Sequence, residues 1–308
     1  MTTRREIRIG TRGSLLALRQ SETVASELRK GCPDLKFSLV RIRTRGDRFP
    51  EASFLEIGEK GLFVKEIEDS LLREDIDLAV HSMKDLPTEL PSGLCLGAVT
   101  SREDPRDCLL SRDGLSLEEL PAAAVVGTSS LRRQAQLKSF RSDLQIKPLR
   151  GNLDTRIRKL NTGEWDAILL AAAGLHRLGL QDLITQYLPP EICLPSAGQG
   201  CLGLELRVSD QGLREILRPL NDEESASAAL AERAFLRRLG GGCQVPIGVL
   251  GEVQAGILHL RGAICTLEGD RMIRGELCGP SEQAAFLGEE LAERLWPDAM
   301  GILKGSRI

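Results

Sequence analysis

With 308 residues the chain is long enough for two domains, or three small ones, each with a core of its own. Hydrophobic residues at 42% and charged residues at 28% are ordinary globular usage, which excludes disorder and collagen-like repeats. Aromatics at 3% argue against a stacking platform for single-stranded nucleic acid, and 41 Lys plus Arg against 44 Asp plus Glu leave no global field for polyanions.

No signal-peptide-like run follows Met1, and no stretch approaches about 18 consecutive apolar residues, so a cytoplasmic protein with no membrane contact is expected. The eight Cys form no Cys-x-x-Cys pair and only three His are present, so neither a metal site nor a disulfide framework is expected. Cys95 and Cys265, among apolar neighbours, read as small core residues.

In chain order, a strand over Ile7–Ile9, a helix over Leu15–Lys30 and a strand over Phe37–Ile42 set a βαβ rhythm. A helix from Phe63 to Arg73 leads into a strand over Ile76–Val80. That strand delivers His81-Ser82-Met83-Lys84-Asp85 at its C-terminal end, the edge where open α/β sheets bind ligands. The polar stretch Ser101–Asp107, with its Pro, reads as a crossing linker. A second α/β unit follows, with strands Ala124–Val126, Leu144–Ile146 and Ala167–Leu170 and helices starting near Ser130 and Leu153. The Pro/Gly-rich connector Leu194–Gly200 then leads into the apolar run Cys201–Leu206. Two connectors around a complete unit predict an inserted domain, a return to the first, and a cleft between two lobes.

From Asn221 a well-capped helix runs to Leu239 and ends at Gly240-Gly241-Gly242. Strand-like runs at Gln244–Leu250, Ile257–Cys265 and Met272–Leu277 and a helix over Ser281–Leu295 make a smaller α+β domain. The predicted division is residues 1–100 with 200–219, residues 106–194, and residues 221–308.

Three constellations carry chemistry. Gly127-Thr128-Ser129-Ser130-Leu131-Arg132-Arg133 follows a strand and opens a helix, where free N–H groups, hydroxyls and guanidinium groups make an anion site. Arg150 and Arg156 in Leu149–Arg156 and Arg177 in Gly174–Arg177 repeat the pattern at the next strand ends, and Arg12, Ser14 and Lys84 add to it from the first lobe. So many cations in an acidic chain call for a ligand with several carboxylates or phosphates. Asp85 is the one acid placed centrally; it reads as a salt-bridge partner or as a carboxylate that stabilises a developing cation. Cys243, in Gly241-Gly242-Cys243-Gln244-Val245-Pro246, reads as a buried loop Cys or as a point of covalent attachment.

The motifs His81–Pro87, Arg102–Asp107, Val126–Arg133, Leu149–Asn152, Ala197–Gly200 and Gly241–Pro246 occur together and in order, and on them the chain resembles the porphobilinogen deaminase (hydroxymethylbilane synthase) family over essentially its whole length. The resemblance implies an α/β fold of three domains, two periplasmic-binding-protein-like lobes forming a cleft and a smaller C-terminal α+β domain. It implies a transferase that joins four porphobilinogen molecules head to tail and releases ammonia at each step. It also implies a dipyrromethane cofactor, one per chain, held by a thioether to Cys243, and a monomer without nucleic-acid partners.

Carried over by position, Asp85 is the catalytic carboxylate, holding pyrrole N–H groups and stabilising the azafulvenium cation left by ammonia. Lys84, Ser129, Arg132 and Arg133 hold the cofactor's carboxylates. Arg12, Arg150 and Arg156 take those of the substrate, with Ser14, Thr128, Arg177 and Gln199 in support, and Lys60 and Phe63 belong to a lid. Two positions depart from the family: Glu56, where bacterial members often have Lys, and Gly240, where many have Glu. The rival reading is a two-lobed polycarboxylate-binding protein without catalysis.

Overall fold

The computed structural model describes residues 6–44, 46, 64–240 and 245–303. Of the residues singled out above, Glu56, Lys60, Phe63 and Cys243 lie outside the described residues. The chain divides into two compact units, residues 1–102 with 201–226 and residues 103–200 with 227–308.

The first unit is built on β1 (Glu6–Arg12), whose Ile7 and Ile9 are buried while Arg8 reaches Asp77. Ser14 caps α1 (Leu15–Gly31) by accepting the Ala17 N–H, and Gln20, Ser21, Val24, Ala25 and Leu28 form its buried face at helical spacing. β2 (Lys36–Ile42), α2 (Lys65–Leu72), β3 (Leu78–Ser82) and β4 (Leu94–Val99) follow. The sheet order is β2-β1-β3-β10-β4, where β10 is Leu202–Arg207 and β1 is parallel to β2 and β3. β10, reached after residue 200, runs antiparallel between β3 and β4.

The second unit repeats this plan. β5 (Asp107–Ser111), β6 (Val125–Gly127), α3 (Leu131–Phe140), β7 (Gln145–Lys147), α4 (Leu153–Leu160), β8 (Ala167–Ala171), α5 (Ala172–Leu178) and β9 (Gln186–Tyr187) give the order β7-β6-β8-β5-β9. β6 is parallel to β7 and β8, and β5 is antiparallel to β8 and β9. Each lobe thus has three parallel strands whose C-terminal ends share one edge, then one antiparallel strand laid beside the third. In the first lobe that antiparallel strand comes late in the chain, in the second it comes first.

The same unit holds a three-stranded antiparallel sheet, β11 (Ile247–Gln254), β12 (Ile257–Cys265) and β13 (Met272–Pro280). Most of α7 (Glu223–Arg238) and all of α8 (Ala284–Leu303) belong with it, and Phe235, Leu287 and Leu291 pack on Val249, Leu258 and Leu260. Leu194 joins Leu250 and Ala263 in a small cluster that ties this sheet to the rest of the unit. The fold is therefore two α/β lobes plus a small α+β domain.

Three local expectations change. Asp107 is not linker: it opens β5 and is completely buried. The strands β4 and β5 and the helices α5 and α6 (Gln211–Leu217) were not anticipated from the sequence. Cys95 is half-buried and its Sγ meets Arg214 Nη2 at 2.9 Å instead of apolar neighbours alone, whereas Cys265 is buried as expected.

Candidate functional site

In the first unit the ends of β1 and β3 lie side by side. Arg12 closes β1, and the Thr11 hydroxyl donates to the Ala17 carbonyl at 3.1 Å, fixing the turn that presents Gly13 and Ser14. The Ser82 hydroxyl lies 3.0 Å from Gln20 Nε2, which joins the end of β3 to α1. A single 3₁₀ turn, Met83–Asp85, comes next. Its flanks Met83 and Leu86 are buried and the Met83 N–H donates to the Cys201 carbonyl at 3.0 Å, while Lys84 is half-buried and Asp85 is exposed. Apolar anchors on both sides therefore hold the polar pair at the strand end.

In the second unit four segments meet at the corresponding edge. After β6, Thr128 accepts the Ser130 N–H, and Ser130 caps α3 by accepting from the Arg133 N–H. The Ser129 hydroxyl bridges to the backbone of Leu149, donating to its carbonyl and accepting its N–H, so the β6 and β7 ends are tied together. Gly151 turns with φ +113°, a conformation that favours glycine, and its carbonyl accepts Arg156 Nε at 2.8 Å. Arg177, on α5 after β8, donates through Nη2 to the Gly200 carbonyl at 2.5 Å.

At the centre of this edge, Arg132 and Arg133 converge on Asp107. Arg132 Nη1 donates to Asp107 Oδ2 at 2.6 Å and to the Leu194 carbonyl at 2.7 Å. Arg133 donates to Asp107 Oδ1 through Nη2 at 2.7 Å and Nε at 3.1 Å, and through Nη1 to the Leu169 carbonyl at 2.9 Å. Gln199 Nε2 adds bonds to the same Oδ1 at 2.9 Å and to the Pro105 carbonyl at 2.7 Å. Burial by itself would push the Asp107 carboxyl up; the charges and hydrogen bonds of Arg132 and Arg133 outweigh it and hold the group far below the usual carboxylate range. Burial first, then the Asp107 charge, pushes the neighbouring Cys193 thiol up to about 12, so it stays neutral.

Two guanidinium groups on one carboxylate leave one positive charge in excess in a buried place. Glu103 and Asp104, the acids nearest in sequence, are committed to His176 and Arg106. An uncompensated buried cation is costly, so the cluster favours an added anion. The N-terminus of α3, with its hydroxyl-lined turn, favours the same charge. The donor set thus fits a cofactor bearing carboxylates. Asp107 was missed in the sequence as the anchor of this cluster; the signal available was an acid directly before the apolar run Cys108-Leu109-Leu110.

The family model for the porphobilinogen deaminase dipyrromethane cofactor binding domain matches residues 7–215, and that for the porphobilinogen deaminase C-terminal domain matches residues 226–296. The chain belongs to the porphobilinogen deaminase family. The porphobilinogen deaminase of Pelotomaculum thermopropionicum is 52% identical over 305 residues, covering 99% of this chain and 98% of that one. That of Syntrophomonas wolfei subsp. wolfei is 52% identical over 292 residues, covering 94% and 95%. Among solved structures, the alkanesulfonate-binding protein SsuA from Xanthomonas axonopodis pv. citri aligns at TM-score 0.39 and 14% identity, over 77% of this chain and 75% of its own, a distant likeness from which nothing of its ligand carries over.

As a porphobilinogen deaminase the chain is a transferase of tetrapyrrole synthesis that condenses porphobilinogen on a dipyrromethane cofactor. Among the described residues no helix is long and apolar enough to cross a membrane, and no group of three or more His, Cys, Asp and Glu could hold a metal ion.

Proposed function

We propose that Asp85 is the carboxylate at which the chemistry of this porphobilinogen deaminase occurs, and that the Arg132–Arg133–Asp107 cluster is where the cofactor's carboxylates are held. The observation that carries this reading is the surplus positive charge of two buried guanidinium groups on one buried carboxylate at the strand-end edge. Lys84 and Ser129 complete the cofactor's binding set, with Cys243 as its covalent anchor. Arg12, Arg150 and Arg156 take the substrate's acetate and propionate groups, supported by Ser14, Thr128, Arg177 and Gln199.

When bound, the dipyrromethane supplies the pyrrole end onto which substrate rings are added. The exposed Asp85 carboxylate accepts pyrrole N–H bonds, stabilises the cation left on the substrate's methylene carbon as ammonia departs, and keeps that carbon in place for attack. The chain acts as a cytoplasmic monomer on a small-molecule substrate alone, without nucleic acid.

The test is intact mass under denaturing conditions with a pyrrole colour reaction on the same sample. Wild-type chain is expected to carry the mass of two deaminated porphobilinogen units, Cys243→Ser to lack it, and Asp85→Asn to keep it while turnover is lost. A bare chain that stays bare after incubation with porphobilinogen sinks the cofactor assignment. Normal ammonia release by Asp85→Asn sinks the role of Asp85.

A further inference from the structure

His81 stands on β3 four residues before Asp85, opposite Gly203 of β10. Its Nε2 lies 2.9 Å from Oε2 of Glu205; His81 is 5% exposed and Glu205 not at all. Helix α2 packs over both strands and brings a third ionisable group, Glu68, which is 6% exposed. Oε1 of Glu205 and Oε1 of Glu68 are both buried without a hydrogen-bond partner among the described residues.

Two buried carboxyl groups that feel each other's charge do not both ionise unless a cation joins them. Among the described residues no lysine or arginine acts on Glu68: the charged groups that do are Glu205 from β10, His81 from β3 and Asp69 from its own helix, while Arg207 of β10 is tied to Asp77 and to the Leu71 and Ile76 carbonyls. β1 and β4 also pack on α2. β4 carries no charged side chain, Glu6 of β1 pairs with Lys36, Arg8 is tied to Asp77 and the Glu74 carbonyl, and Arg12 has interactions of its own. His81 is engaged by Glu205, so the neutralising charge left for Glu68 is a proton. Burial first, and the Glu205 charge second, push the Glu68 carboxyl up to about 7, against the opposing pull of His81.

We propose that Glu68, Glu205 and His81 are positioning residues for Asp85, working with a single proton held on Glu68. The idea rests on Asp85 being the acting carboxylate. With the proton in place Glu68 is neutral beside Glu205, Glu205 holds His81, and β3 is clamped between α2 and β10 just ahead of the turn carrying Lys84 and Asp85. When the proton leaves, two like charges share a dry site and the clamp loosens. None of the three side chains needs to touch substrate.

The experiment uses the holoenzyme at pH 6 and pH 8. Infrared difference spectra are expected to show a protonated-carboxyl band at pH 6 that is lost in Glu68→Gln. Amide exchange over residues 78–86, corrected for its intrinsic pH dependence, is expected to be at least about threefold faster at pH 8 than at pH 6 in wild type and equal at the two in Glu68→Gln. His81→Gln is expected to lower kcat about tenfold with KM within about twofold, the pattern of a displaced catalytic group. The proposal is overturned if no such band is present, if Glu68→Gln keeps the wild-type pH dependence of exchange, or if His81→Gln leaves kcat within about twofold. Should Glu68→Gln not fold, Glu205→Gln, which removes the like charge beside Glu68, is read by exchange, whose pH dependence is expected to weaken; an unchanged dependence overturns the proposal. Spectra and exchange do not depend on turnover, so their failure is distinct from a failure of the Asp85 assignment, which the ammonia release of Asp85→Asn reports.

Discussion

Asp107 ties three segments of the second lobe together from a buried position. It receives Arg132, Arg133 and Gln199 while wholly excluded from water. Asp107→Asn keeps its shape and removes its charge, leaving two buried guanidinium groups without a counter-ion. Removing one partner of a buried pair typically costs about 3–5 kcal/mol, so this variant is expected to unfold at clearly lower urea than wild type. A loss below about 1 kcal/mol would mean that the Leu194 and Leu169 carbonyls alone satisfy the two arginines. Residues of the site differ in how far they could be read. Asp85, Lys84 and the arginines at strand ends were legible because their motifs stand where strands hand over to turns. Asp107 was not, because an acid at the end of the polar stretch Ser101–Arg106 looks like linker until β5 is seen lying beside β8.

Elements differ in legibility for a related reason. β1, α1 and β12 were found within a few residues because seven or more residues give the pattern room to repeat. β5 spans five residues and is buried almost throughout, so it has no alternation to show, and α6 spans only seven. Packing between elements is hidden too, and Gly288 on α8 is the clearest case. A methyl group added there would run into the Ala231 carbonyl of α7 and press on Ala234. Because a helix backbone cannot swing aside as a side chain can, Gly288→Ala is expected to destabilise by about 2 kcal/mol or more, read as a drop in Tm. Gly31, at the end of α1, has open space around it and an unstrained backbone. Gly31→Ala is therefore expected to be neutral or stabilising by less than about 1 kcal/mol. Equal losses for the two variants would remove close helix approach as the explanation.

Across the whole molecule, two buried acids, one in each unit, carry opposite dependences on pH. Asp107, in the second unit, has its carboxyl held below the ordinary range, so its stabilising contribution is present above the unfolded value near 4 and is lost as pH falls through the folded one. Glu68, in the first unit, is raised from 4.5 to about 7, so its contribution is complete below 4.5 and is lost as pH rises through about 7. At about 1.4 kcal/mol per pH unit, that neutral limb amounts to roughly 3.5 kcal/mol at most. Both tryptophans, Trp165 and Trp296, belong to the second unit, so fluorescence follows that unit while far-ultraviolet circular dichroism follows both. Urea unfolding from pH 4 to pH 8 is expected to show a circular-dichroism component whose midpoint falls between pH 5 and pH 7.5 while the fluorescence midpoint holds steady. Glu68→Gln should flatten that decline and leave the fluorescence transition where it was. If wild type shows no decline in either signal, Glu68 is ionised in the folded chain. If both signals fall together and Glu68→Gln restores both, the two units unfold as one cooperative body and share the proton's contribution.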